Sequence, residues 1–255
     1  MNTENTQTGY ESRFSITKAD ADTEGSEVQT IDLNTVTDKY TIDSAGTYLL
    51  SGSFNGTLCV DAEEQIVHLI LDGVSIHSAT GPAISVLSAG KVILTLKGGA
   101  SNTLRDSAQY HTSGEENACI YSICDLTVNG SGTLNLYGYY KDALHSKDIV
   151  KILGGEINIQ AKRDGIRGND GILICNDKLN IESEGTGLHV TKNRKATKGA
   201  IEISAGEHSI ISGKYAISST GDFFAENCTI YGKGILSCLD VGGNSYIQEG
   251  CLTNE

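Results

Sequence analysis

The sequence predicts an all-β chain wound as a parallel β-helix. Three observations carry that expectation: a single proline in 255 residues, apolar and polar residues alternating in short runs, and a repeat of about 22 residues. Proline removes a backbone donor, so it is excluded wherever each coil must hydrogen-bond to the next. Alternation in short runs broken by glycine and asparagine has the period of a strand and not of a helix. It is seen at 48–54, 66–71, 91–96, 126–128, 134–137 and 157–159.

The repeat fixes the architecture. Ile120, Leu144, Ile166, Leu188 and Ile217 stand 24, 22, 22 and 29 residues apart, each preceded by a small residue (Cys119, Ala143, Gly165, Gly187, Ala216). The longest step carries an insertion of about seven residues at 192–198, basic and hairpin-like. Val128, Ile152, Ile174 and Ile203 repeat with spacings of 24, 22 and 29, and the triplets at 134–136, 157–159 and 179–181 follow at 23 and 22. Each period holds two clear strands and room for a third. A unit of that size cannot bury its own apolar face, whereas stacked coils share one core. A two-sheet sandwich would not keep the register. Glycines at 154–155 and at 130 and 132 serve the corners.

Ahead of the coils, residues 1–30 are polar. From Met1 to Asp32 there are seven acids and two bases, which reads as a tail or the start of a cap, with the coil body at 31–255. The opening MNTEN has neither a basic start nor an apolar core, so no signal peptide is expected in this chain. The net charge of −13, from 19 basic and 32 acidic residues, disfavours nucleic-acid and membrane-surface binding. Nothing approaches the roughly 18 consecutive apolar residues of a membrane span. Seven cysteines cannot all pair internally, and no zinc spacing appears; they read as small fillers of the coil wall.

Several segments resemble a bacterial family of secreted β-helix proteins described as carbohydrate-binding and similar in fold to pectate lyases: NACIYS at 117–122, DLTVNGSGTLNL at 125–136, DALHSKD at 142–148 and DGIRGND at 164–170. GTYLLSGS at 46–53 and LILDGVSI at 69–76 look like that family's N-terminal coils. The resemblance covers roughly residues 30 to 250. It implies a right-handed, single-stranded parallel β-helix, an extracellular or cell-surface setting, bound calcium, and affinity for plant-type polysaccharides such as polygalacturonate.

Equivalent residues of successive coils stack about 4.8 Å apart. Two residues before the apolar column come Ala118, Asp142, Asp164, Thr186 and Tyr215; four after it come Cys124, Asp148, Asp170, Lys192 and Gly221. Two adjacent coils therefore each carry a pair of aspartates. Like charges that close are costly unless a cation lies between them, and calcium suits stacked carboxylates. Asp142, Asp148, Asp164 and Asp170 are the candidate calcium ligands. The alternative is that they cap backbone donors in the corners. The family pattern usually has an aspartate where Cys124 stands, and Thr186 and Lys192 end the columns on the other side, so one or two ions are expected.

The residue after the apolar column points outward. That column reads Tyr121, His145, Arg167, His189 and Ser218, a set suited to sugar rings and uronate carboxylates, or else to a solvated face. Tyr139 and Tyr140, with Tyr137, form a further stacking platform in a chain without tryptophan. Asn135, Asn158 and Asn180 read as a side-chain ladder. From Lys141 to Asp170 there are six bases and five acids, leaving 13 and 27 elsewhere, so the central coils repel an acidic glycan least.

The function expected is calcium-stabilised binding of a polysaccharide, acidic (polygalacturonate) or a β-glucan, by a monomer without catalysis. Two other readings stand beside it: a uronate lyase acting by calcium-assisted β-elimination, with Lys147 or Arg167 as base, and a rigid surface or adhesion spacer.

Overall fold

Backbone pairing passes from coil to coil in the predicted register. Leu144 lies opposite Ile120 on one side and Ile166 on the other; Leu188 follows Ile166, and Ile217 follows Leu188. The second column pairs as Val128, Ile152, Ile174 and Ile203, and the triplets pair residue for residue. While the central asparagines of the triplets face outward, the apolar residues of these columns are buried and fill one core. Each such side chain contributes about 1.5–3 kcal/mol by leaving water.

The computed structural model describes residues 12–111, 114–192 and 198–254. Most of the predicted basic insertion, 193–197, lies outside the described residues, as do residues 1–11 of the predicted tail. Among the described residues the strands form two sheets, of 17 and nine strands, and every pairing is parallel. The middle coils each have three strands, as in Ala118–Ser122, Asp125–Gly130 and Thr133–Gly138: one joins the smaller sheet and two join the larger. The third strand, for which the sequence left room, is therefore present. This all-β, all-parallel winding is consistent with a parallel β-helix.

The small residue before each inward apolar residue has a steric cause. A Cβ on Gly165 would lie 2.5 Å from Ile181 Cγ2, so the strand Lys178–Ser183 of the same coil fills the space a side chain would need. Asn158 Nδ2 donates to Asn135 Oδ1 at 3.1 Å, and Asn180 Nδ2 donates to Asn158 Oδ1 at 2.8 Å, giving the ladder. All seven cysteines are free. Among the described residues no helix is long and apolar enough to cross a membrane.

The described part of the polar N-terminal segment differs from a solvated tail. Residues 12–28 run as a strap over the outer face of the larger sheet. Phe14 packs on Leu173 and Ala200, and the short helix Lys18–Ala21 is closed by a capping box between Thr17 and Asp20. Asp20 is 0 % exposed. Its carboxylate meets Lys91 and Lys151 from the coils.

Candidate functional site

The tyrosine platform forms where the chain turns from the larger sheet to the smaller. A Cβ on Gly138 would lie 2.5 Å from the Asp142 carbonyl oxygen, so only glycine lets the chain close this tightly. The turn sets Tyr137 and Tyr139 side by side, ring centroids 6.0 Å apart and 27° from parallel. The Arg105 guanidinium lies 5.0 Å from the Tyr137 ring centroid. Tyr140 stacks on Tyr110 at 4.2 Å, with the Lys141 ammonium 4.5 Å from the Tyr140 centroid. Tyr139 is the ring most open to water, at 45 % exposure.

Beneath this turn lies Asp106, fully buried, which accepts from the Tyr139 amide at 2.6 Å and from the Tyr110 hydroxyl at 2.8 Å. Burial pushes its carboxyl up to about 6, against the lowering effect of those hydrogen bonds. Tyr110 is raised too, by burial and by the Asp106 charge. Asp106 thus holds both halves of the platform.

On the outer face of the larger sheet, Tyr137 is in register with Gln160 and Glu182, and Glu182 with Ile211. A cleft of about 470 Å³ lies here, lined by Tyr139, Gln160, Lys162, Glu182, Glu184 and Ile211. A second, of about 190 Å³, is lined by Tyr137, Asn158, Asn180 and the same Gln160 and Glu182. Lys162 is paired to Glu184 at 2.6 Å in solvent. Arg105, Gln160 and Glu182 were not among the predicted site residues. The signal for them lay two residues beyond the asparagine ladder, where Tyr137, Gln160 and Glu182 form the next outward row.

The other predicted sugar contacts are placed less openly. Tyr121 and His145 stand in adjacent coils of the outward column, ring centroids 5.7 Å apart and edge to face, but they are only 3 % and 4 % exposed. The column does face outward, but the loop before the strand Ala118–Ser122 reaches over it. Asn117 bonds His145 Nδ1 at 2.6 Å, Asn169 bonds Nε2 at 3.2 Å, and Glu115 is paired with Lys147. Burial, with Arg167 nearby, lowers His145 to about 4, so the ring is neutral. Neither ring offers a free face to a sugar. Arg167 is half-buried, its Nε donating to Asn169 at 3.3 Å. His189 Nδ1 is 2.7 Å from Asp164 Oδ2. Of the two candidate bases, Lys147 is held above its usual value by Glu115, the opposite of what proton abstraction needs.

The four aspartates come together as two pairs in neighbouring coils, and the pairs differ. Asp142 accepts Arg163 Nε and Nη2 at 2.6 Å each, and the Asp164 amide at 3.1 Å. Burial raises its carboxyl against that pairing. Burial would raise Asp164 as well, but His189, the Thr186 amide and Arg163 outweigh it and lower the group. Here protein donors fill the places a cation would take. At the second pair, burial and the facing Asp170 carboxylate raise Asp148. Asp170 Oδ2 is paired with Lys198. Asp170 Oδ1 is buried and accepts no hydrogen bond, the Lys192 ammonium standing 3.6 Å away. Among the described residues no three His, Cys, Asp or Glu side chains are clustered for a metal.

Comparison with known proteins bears on the fold and the family. A solved structure described as a polysaccharide lyase-like protein from C. thermocellum, in a gadolinium derivative, superposes with a TM-score of 0.85 at 28 % identity, covering 89 % of this chain and 98 % of that one. A protein of Acetivibrio thermocellus described as carbohydrate-binding domain-containing is 34 % identical over 126 residues, 47 % of this chain and 44 % of the relative, so the match takes in less than half of that protein's length. The family model described as carbohydrate-binding domain-containing protein matches residues 37–241, the greater part of the coil body, and the chain belongs to that family.

Proposed function

We propose that the protein binds a neutral, hydroxyl-rich polysaccharide of the β-glucan type across the Tyr137–Tyr139 face of a single-stranded, right-handed parallel β-helix, without cleaving it. The observation that carries this reading is the exposed Tyr139 ring stacked beside Tyr137 over clefts lined also by amides, carboxylates, Lys162 and Ile211. An aromatic face packs against the C–H side of a pyranose. Gln160, Asn158, Asn180 and Glu182 are placed to take up its hydroxyls. Glu182 repels a polyuronate, Glu184 being paired with Lys162, so an acidic glycan suits this face less well than a neutral one. Electrophoresis through gels containing a soluble β-glucan tests the proposal. The wild type is expected to be retarded, and Tyr139→Ala to lose about tenfold or more in affinity, some 1.4 kcal/mol. Equal retardation of the two proteins would refute the site. Free migration through every glycan would favour the rigid spacer. Sustained release of unsaturated product from polygalacturonate would favour the lyase.

We further propose that calcium binds at Asp148 and Asp170, and not at Asp142 and Asp164. The unbonded buried oxygen of Asp170 and the raised Asp148 beside it support this. Only two carboxylates are offered, so carbonyls and water would complete the shell, and Lys198 would give way. Calcium is expected to raise the melting midpoint of the wild type and not that of Asp170→Asn. A midpoint indifferent to calcium and chelator would argue against any bound ion.

A further inference from the structure

We propose that the outer face of the larger sheet beneath residues 15–22 is a second glycan site, for a carboxylate-bearing polysaccharide, and that the strap holds it as a built-in competitor, with Asp20 standing where a uronate carboxylate would sit. The inference rests on the reading that the protein binds carbohydrate, but it uses no residue of the Tyr137–Tyr139 face.

Three successive coils converge on the Asp20 carboxylate. Lys91 Nζ donates to Oδ1 at 2.7 Å, Thr127 Oγ1 to Oδ1 at 2.6 Å and Lys151 Nζ to Oδ2 at 2.8 Å. Within the strap, only the Thr17 amide and hydroxyl add to these, at 2.8 Å each. The sheet gives further donors to oxygens of the strap backbone: Lys151 Nζ to Ser15 O at 2.8 Å, and Asn129 Nδ2 to Asp20 O at 2.9 Å and to Asp22 O at 2.7 Å. Asn129 is held in that orientation from behind. Its Oδ1 accepts from Thr95 Oγ1 at 2.5 Å, and Thr95 meets His68 Nε2 at 2.6 Å.

Between residues 15 and 22 the coils act as donors and the strap as acceptor, which is also the relation between a donor-lined groove and an acidic sugar chain. At residues 12 and 13 the direction reverses, with Ser12 Oγ and the Arg13 amide donating to Glu202 and Arg13 paired with Asp222. An apolar staple would suffice for docking alone, as Phe14 provides against Leu173 and Ala200. Two lysines and a hydroxyl around one carboxylate amount to anion recognition. The groove is also open beside the strap. A cleft of about 630 Å³ runs between Ile16, Asp20 and Thr23 on one wall and Thr95, Asn129 and Ser131 on the other. It meets a second, of about 360 Å³, at Ile16 and Cys175, where Glu202 and Glu226 make the lining acidic, so the polymer is expected to keep to the first. A polymer in the first cleft reaches the lysines by displacing Asp20 together with Ser15 and Thr17.

If the strap competes, the apparent affinity of the intact protein is the intrinsic one reduced by the fraction of molecules with the strap open. The test is calorimetric titration of the full chain, in a Tyr139→Ala background, with an oligogalacturonate and with a neutral cello-oligosaccharide of equal length. Asp20→Asn is expected to raise oligogalacturonate affinity on the order of tenfold, and adding Lys151→Met is expected to abolish the gain. The neutral oligosaccharide should show no response to either change. Phe14→Ser, which unpins the far end of the strap without touching the lysines, is expected to act in the same direction as Asp20→Asn. Amides of residues 14–22 should exchange faster when the wild type is saturated with oligogalacturonate. The proposal is overturned if Asp20→Asn and Phe14→Ser free the strap amides but leave the affinity unchanged, or if the amides stay protected at saturation. Neutral-glycan binding in a Tyr139-intact protein is read separately, so either site can fail without the other.

Discussion

Replacing Arg163 by alanine is expected to cost roughly 3–5 kcal/mol of folding stability, because it strands a buried carboxylate. Asp142 is fully buried and both its oxygens rest on the Arg163 guanidinium, with one amide bond besides. Without that partner the group must either remain charged in the wall of the coil or take up a proton. The pH dependence follows. Asp142 is already raised above 3.8 in the folded protein, so the native state binds a proton there more readily than the unfolded chain does. Its contribution to stability is complete below that unfolded value and is lost as pH rises through the folded one. The alanine variant should extend that loss to higher pH, so the deficit against wild type should grow from pH 5 to pH 8 in chemical denaturation. Arg163→Ala combined with Asp142→Asn should recover much of the deficit. Calcium should not rescue Arg163→Ala. Full rescue by the ion would mean that Asp142 and Asp164 are metal ligands after all.

Asp106→Asn is expected to stabilise the protein at neutral and higher pH by as much as about 3 kcal/mol. A carboxyl lifted from 3.8 to about 6 forfeits roughly that amount once both states are ionised. The sign is the reverse of an ion-paired acid: the wild-type contribution is favourable below pH 4 and disappears through pH 6. Asparagine imitates the protonated form, its oxygen taking the Tyr139 amide and its NH₂ facing the Tyr110 hydroxyl, which donates onward to Ala118 O. Melts of the two proteins should therefore nearly coincide at pH 4 and separate by pH 8. Asp106→Ala, in contrast, removes the acceptor under Tyr139 and should weaken glycan binding along with stability.

The coil register was readable because it is written by repetition. Every apolar side chain in the columns through Ile120 and Val128 meets its counterpart one coil away, and a column that missed its register would turn its side chains into water. The site was only partly readable. Tyr139 and Tyr140 stood out because aromatic residues are few, and they lie at an exposed turn. Tyr121 and His145 have the same alternation and the opposite fate, since a loop at 114–117 covers them, and alternation carries no information about what lies above a sheet. The aspartate columns met as the spacing required. However, the partner of Asp142 is Arg163, one residue before Asp164, a cation already present in the sequence beside the pair assigned to calcium. Asp20 was hidden for a related reason. An acid in a polar segment gives no local sign of Lys91 and Lys151, which are 71 and 131 residues away.

Assignment of the backbone amides and titration with a soluble β-glucan oligosaccharide tests the location of the binding face most directly. Shifts are expected to concentrate at Tyr137, Tyr139, Gln160, Lys162 and Glu182, with Tyr121, His145 and Arg167 unmoved. Shifts centred on Tyr121, His145 and Arg167, or no saturable shifts with any glycan, would contradict it.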